Sequence, residues 1–74
     1  MPHLDARHLL CPMPVIRVSE QLRDLAAGTV LTVACTDPGA LYDIPAWCRL
    51  EGHEVMESRV EPSGEIVIVI KVHA

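Results

Sequence analysis

The segment Cys11-Pro12-Met13-Pro14 constrains the fold of this chain more than any other, because two closely spaced prolines fix where a helix begins. Proline lacks an N–H and has a φ near the helical value, so it is tolerated in the first turn of a helix and disfavoured further along. If Pro12 is the first helical residue, Cys11 is the N-cap; if Pro14 is the first, Cys11 lies one turn earlier. Both alternatives predict a cysteine at the N-terminal end of a helix.

This position predicts a lowered pKa for the Cys11 thiol. Unpaired N–H groups and the positive end of the helix dipole favour the thiolate, which is the nucleophilic form of cysteine. Arg7, His8 and Arg17 are close in sequence and are candidates to stabilise a negatively charged sulfur further. The sequence therefore indicates Cys11 as the reactive residue.

The length and composition favour one small domain with an aliphatic core. A chain of 74 residues buries only about 60% of its unfolded surface, so most of its apolar residues are needed in the core. Half of the residues are hydrophobic, but Trp47 and Tyr42 are the only aromatic ones. Aliphatic cores of this kind suit a sheet covered by helices.

Charge and hydropathy exclude several classes of partner. The formal net charge of −4 argues against direct electrostatic binding to nucleic acid. No apolar run approaches the roughly 18 residues of a membrane span, and residues 1–5 lack the basic and apolar regions of a signal peptide. We expect a cytoplasmic protein that binds neither membrane nor nucleic acid.

Hydrophobic periodicity predicts elements in the order βαβαββ. Strands are expected at residues 3–6, 29–35, 55–60 and 66–72. From Pro14 onward the first helix is expected to bury the stripe Val15, Val18, Leu22 and Leu25, with Gly28 as its C-terminal cap.

Pro45 complicates the second helix. Asp37-Pro38-Gly39 reads as a turn with a capping aspartate. Because an interior proline removes a helical hydrogen bond, we expect a short turn over residues 38–42 and a main helix that restarts with Asp43 as its cap. Gly52 is expected to end that helix.

The connections between these elements predict how the strands pair. A right-handed crossover makes the first two strands parallel, and a hairpin turn at residues 62–64 makes the last two antiparallel. The run of residues 66–70 is apolar on both faces, which is typical of a strand inside a sheet. The fold class is thus a two-layer α/β sandwich, a four-stranded mixed sheet with two helices on one face. It places Cys11 beside the carboxyl edge of the first strand, where α/β folds commonly have sites.

The remaining cysteines and the histidines indicate packing and not a metal site. Cys35 falls on the apolar face of a strand and Cys48 on the apolar stripe of the second helix. Three cysteines with no close pair do not suggest a disulfide framework, so reduced thiols are expected. The four histidines show no i, i+4 pair and accompany no C-x-x-C motif, so we expect no metal.

Several segments together resemble one protein family, the TusA (SirA-like) sulfur carriers. These segments are Leu4-Asp5-Ala6-Arg7, Leu10-Cys11-Pro12-Met13-Pro14, Thr36-Asp37-Pro38-Gly39-Ala40, Asp43-Ile44-Pro45, Trp47-Cys48 and Gly52-His53-Glu54. The resemblance covers essentially the whole chain, so residues 1–74 are expected to form a single TusA-like domain. One position departs from the family: His8 stands where the family usually has a glycine, which can serve a left-handed backbone or a close approach by a partner.

The resemblance implies a βαβαββ sandwich and a persulfide carried on Cys11, with no other cofactor. It implies a donor such as a cysteine desulfurase or rhodanese, and an acceptor protein in tRNA thiolation, molybdenum-cofactor synthesis or sulfur oxidation. The protein would act as a carrier and not as a turnover enzyme. Pro12 and Pro14 would start the helix, and Arg7, His8 and Arg17 would support the persulfide.

Two other functions remain open at this point. The chain could be a regulatory module that docks on a partner through the Cys11 loop without chemistry. It could also be a thiol redox switch in which Cys11 pairs with Cys48 or Cys35. Retained activity of Cys11→Ala would indicate the first, and loss of free thiols after mild oxidation the second.

Overall fold

The computed structural model describes residues 2–73, so the first and last positions of the expected domain lie outside the described part. The described residues form six elements in the expected order βαβαββ. Their bounds are β1 His3–Ala6, α1 Met13–Arg23, β2 Val30–Cys35, α2 Ala40–Glu51, β3 Glu54–Val60 and β4 Ile66–Lys71.

The sheet confirms the predicted topology. Its strand order is β1-β2-β4-β3, in which β1 pairs with β2 in parallel and β4 pairs with both β2 and β3 in antiparallel fashion. The apolar strand β4 lies inside the sheet, and Ile68 and Ile70 are fully buried. Strand β3 is an edge strand whose side chains are mostly exposed.

The core lies between the sheet and the two helices. Leu31, Val33 and Cys35 alternate on the buried face of β2, as the sequence predicts. Helix α1 contributes Val18 and Leu22 to the same cluster, and helix α2 contributes Ile44, Cys48 and Ala40. The helices and the buried face of the sheet thus form the expected two-layer sandwich.

The ends of α1 differ from the prediction. The helix begins at Met13 with Pro12 as the N-cap, so Pro14 is its second residue. It ends before Gly28, because Asp24 and Leu25 close the last turn with i→i+3 hydrogen bonds to the carbonyls of Gln21 and Leu22. Gly28 instead has a φ of +89° in the turn before β2.

Helix α2 is continuous, so the predicted break before Asp43 is wrong. Pro45 lies inside the helix and its missing N–H leaves the carbonyl of Leu41 without its usual helical donor. Burial of Ile44 and Cys48 on one face of the helix holds it against the sheet despite this loss. The helix therefore starts at Ala40, and Asp43 lies in its first turn and does not cap it. Gly52 ends the helix in a left-handed conformation, as predicted.

No helix among residues 2–73 is long and apolar enough to cross a membrane.

Candidate functional site

Cys11 lies in an exposed turn immediately before α1. The N–H of Met13 donates to the carbonyl of Leu10 at 2.8 Å, which closes the turn around Cys11. The Cys11–Pro12 peptide bond is cis. Pro12 accepts the hydrogen bond of Ile16 as N-cap, at 3.2 Å, so Cys11 stands one residue before the cap, between the two positions that the prolines allowed. The thiol is exposed at the N-terminal end of the helix.

Two carboxylates from distant parts of the chain contact Cys11. The Sγ of Cys11 donates a hydrogen bond to Oδ2 of Asp43 at 3.0 Å. The backbone N–H of Cys11 donates to Oδ2 of Asp37 at 2.7 Å. Asp37 also accepts the N–H of Gly39 through Oδ1 at 3.2 Å, as the predicted turn requires. Asp37 thereby links the Cys11 turn to the start of α2.

These contacts raise the pKa of the Cys11 thiol, so the predicted lowering is wrong. The largest cause is the hydrogen bond to Asp43, followed by desolvation and by the negative charges of Asp43 and Asp37. A carboxylate at hydrogen-bond distance favours the protonated thiol. The resting site therefore holds a thiol beside a carboxylate, and not a thiolate at a helix dipole.

Arg7 is held by carboxylates other than those at Cys11. Its Nε and Nη2 donate to the two carboxylate oxygens of Asp5 at 2.9 and 3.1 Å, and its Nη1 lies 3.7 Å from Oε1 of Glu65. The hydrogen bonds from Arg7 lower the pKa of Asp5 to about 2. The charge of Arg7 is thus paired with carboxylates at the edge of the sheet and not with the sulfur of Cys11.

His8 has a left-handed backbone, which explains why a glycine suits this position. Its φ is +66°, and its N–H donates to Oγ1 of Thr36 at 2.8 Å. Arg17 is exposed on α1. Within residues 2–73, no hydrogen bond or ion pair joins Arg7, His8 or Arg17 to the sulfur of Cys11.

The two prolines have different environments. Pro12 is exposed, whereas Pro14 is among the fully buried side chains. Pro14 thus anchors the first turn of α1 in the core and fixes the backbone that follows Cys11. Exposed apolar side chains lie close by in sequence: Leu10 is 75% exposed, and Tyr42, which precedes Asp43, is 73% exposed.

Cys35 and Cys48 are fully buried in the core, consistent with packing. Burial raises the pKa of each thiol to about 11, and the charge of Asp37 adds to the effect at Cys35. All three cysteines are free. Residues 2–73 contain no group of three or more His, Cys, Asp or Glu side chains placed to hold a metal ion.

Comparison with known proteins gives a consistent result. A sequence model of the family described as "Sulfurtransferase TusA" matches residues 3–72. The chain belongs to the TusA family. The sulfur carrier protein TusA of Allochromatium vinosum is 41% identical over 68 residues, which cover 92% of this chain and 88% of that protein. The TusA of Pseudomonas aeruginosa strain PAO1 is 47% identical over 58 residues, covering 78% of this chain and 73% of that one.

Two further matches differ in how much of the matched protein they cover. YrkF of Bacillus subtilis is 42% identical over 64 residues, which are 86% of this chain but 34% of that longer protein. This chain also matches the crystal structure of a SirA-like protein from Desulfitobacterium hafniense. The structural alignment covers 100% of both chains, with a TM-score of 0.88 and 28% sequence identity. The fold is therefore that of the SirA-like proteins.

Proposed function

We propose that Cys11 accepts a sulfane sulfur from the persulfide of a donor protein, carries it as a persulfide, and passes it to a thiol of an acceptor protein. The observation that carries this proposal is the exposed thiol at the start of α1 in a chain of the TusA family. Relatives that align over most of this chain are named sulfur carrier proteins. The other two thiols are buried, which leaves Cys11 as the accessible nucleophile.

Each transfer is an attack by a thiolate on a sulfur atom. The rate of such exchange depends on the thiolate fraction of the attacking cysteine and on its access to the partner. Pro12 and Pro14 position Cys11 at the helix start. Arg7, His8 and Arg17 are proposed to stabilise the negative charge of the persulfide, whose outer sulfur extends beyond Sγ.

The partners are proposed from the chemistry of the family. The donor is a cysteine desulfurase or a rhodanese-like protein, and the acceptor belongs to tRNA thiolation, molybdenum-cofactor synthesis or sulfur oxidation. We place the carrier in the reducing environment of the cytoplasm, where free cysteines such as those of this chain persist. No cofactor is proposed besides the persulfide itself.

Intact-mass measurement tests this function. Wild type and Cys11→Ser are each incubated with a cysteine desulfurase and cysteine, with a rhodanese and thiosulfate, and with inorganic polysulfide. We expect a gain of about 32 Da, one sulfur atom, on wild type only, and its removal by a thiol reductant. Loading of Cys11→Ser, or no loading of wild type by any of the three donors, contradicts the proposal.

A further inference from the structure

We propose that Asp43 is the catalytic proton acceptor and donor for sulfur transfer at Cys11. This inference rests on the proposed function, because sulfur transfer at Cys11 requires a group that takes the thiol proton and later returns it. It starts from the contact between Sγ of Cys11 and Oδ2 of Asp43, which are 3.0 Å apart.

The contact defines where the proton lies in the resting protein. An ionised carboxylate can only accept hydrogen bonds, so the sulfur must carry the proton when Asp43 is charged. The position of this carboxylate is fixed by the backbone, because Asp43 lies in the first turn of the twelve-residue helix α2. The pair is thus a protonated nucleophile beside a base within hydrogen-bond reach.

The other charged groups near Cys11 do not replace this base. Asp37, from the loop before α2, binds the backbone N–H of Cys11 and not its sulfur. Arg7 pairs with Asp5, and His8, on the same loop, contacts Thr36 through its backbone N–H. Arg17 is exposed on α1. Among these groups, Asp43 alone touches the reacting sulfur.

With Asp43 as the proton carrier, every proton and bond of the sulfur transfer is accounted for. The Sγ–H proton moves to Oδ2 of Asp43 as Sγ attacks the outer sulfur of a donor persulfide, R–S–SH. A bond forms between Sγ and that sulfur, the donor S–S bond breaks, and its electron pair leaves on the donor thiolate. The proton on Asp43 then passes to this thiolate. The products are the Cys11 persulfide and the donor thiol, and no outside oxidant is needed because the sulfane sulfur carries the oxidation state.

The test compares two reagents that differ in their leaving group. Iodoacetamide alkylates the Cys11 thiolate and releases iodide, which needs no proton. Glutathione persulfide delivers its outer sulfur and releases a thiolate, which does. Both rates are measured at pH 7 by intact mass, and the alkylation rate is also measured as a function of pH. The proteins compared are wild type, Asp43→Asn, Asp43→Ala and the control Glu51→Gln, which makes the same charge change at the other end of α2.

We expect the two rates to move in opposite directions in both Asp43 variants. Alkylation should rise several-fold, because loss of the carboxylate removes the contact that favours the thiol, and its pH profile should shift to lower pH. Loading should fall by about tenfold or more, because general acid–base assistance of this kind contributes about 100-fold or more. Glu51→Gln should leave both rates unchanged. Thermal unfolding of each variant checks that the fold is retained, and Asp43→Ala supplies the test if Asp43→Asn does not fold.

Three results overturn the inference. If alkylation and loading both rise, Asp43 only suppresses the thiolate. If both fall, it only maintains the turn, and if loading is unchanged, it moves no proton. A wild-type protein that gains no sulfur would instead overturn the proposed function, so the two failures are distinguishable.

Discussion

The turn that holds Cys11 and the core that holds Cys35 and Cys48 both raise the pKa of their thiols, but by different means. In the core the largest cause is burial, and the pKa of each thiol is raised to about 11. In the turn the first cause is a single hydrogen bond to Asp43. Burial is relieved only by unfolding, whereas one side-chain contact can be broken by a docking partner or by a substitution. The same direction of shift therefore marks inert thiols in one region and a controllable thiol in the other.

The largest expected difference between the two regions is in stability. Cys35→Ser places a hydroxyl on the buried face of β2, where Cys35 is 0% exposed, and should lower the free energy of unfolding by about 2 kcal/mol. Cys11→Ser replaces an exposed residue, and a serine hydroxyl can also donate to Asp43. This substitution should therefore change the free energy of unfolding by less than about 0.5 kcal/mol.

Denaturant unfolding of both serine variants measures this difference. If both variants lost the same free energy of unfolding, the turn around Cys11 would be as tightly packed as the core. That result would remove the distinction between a controllable and an inert thiol.

The core was predictable from sequence because its determinants are local. Alternation along β2 identified the buried face that includes Leu31 and Val33, and the apolar run of β4 identified an interior strand. Each pattern is read within one element, and the crossover and hairpin rules then order the strands. Helix α2 was the exception, since packing of Ile44 and Cys48 outweighs the local cost of Pro45.

The chemistry of the turn was not predictable in the same way. The prolines placed Cys11 at a helix start, but the group that touches its sulfur is 32 residues away in sequence. The residues near Cys11 in sequence predict cationic side chains around the sulfur, whereas the fold brings carboxylates to it. The D-P-G and D-I-P segments by themselves predict that their aspartates cap helices. Their spacing from the cysteine gives no local signal that one of them reaches the thiol.

An effect of intermediate size is expected at His8, whose φ of +66° shapes the turn before Cys11. A left-handed residue with a Cβ costs about 1 kcal/mol or more relative to glycine. The free energy of unfolding of His8→Gly should therefore be about 1 kcal/mol higher than that of His8→Ala, as measured by denaturant titration. The comparison of two side-chain deletions isolates the backbone, because both remove the imidazole. If His8→Ala were as stable as His8→Gly, the backbone of the turn would not be held in this conformation.

The smallest effect is expected from the exposed ion pair of Arg7 with Asp5, which tests whether surface cations act on the sulfur. Arg7→Gln should raise the pKa of Asp5 from about 2 toward its ordinary value of 3.8, as followed by NMR titration of the carboxyl group. Because the folded-state pKa is lowered, the pair stabilises the protein above about pH 3.8, and this contribution is lost as the pH falls through about 2. The variant should lack this acid dependence, while its Cys11 alkylation rate at pH 7 stays that of wild type. A slower alkylation would show that Arg7 already favours the thiolate, and that the turn is governed by its cations as well as by Asp43.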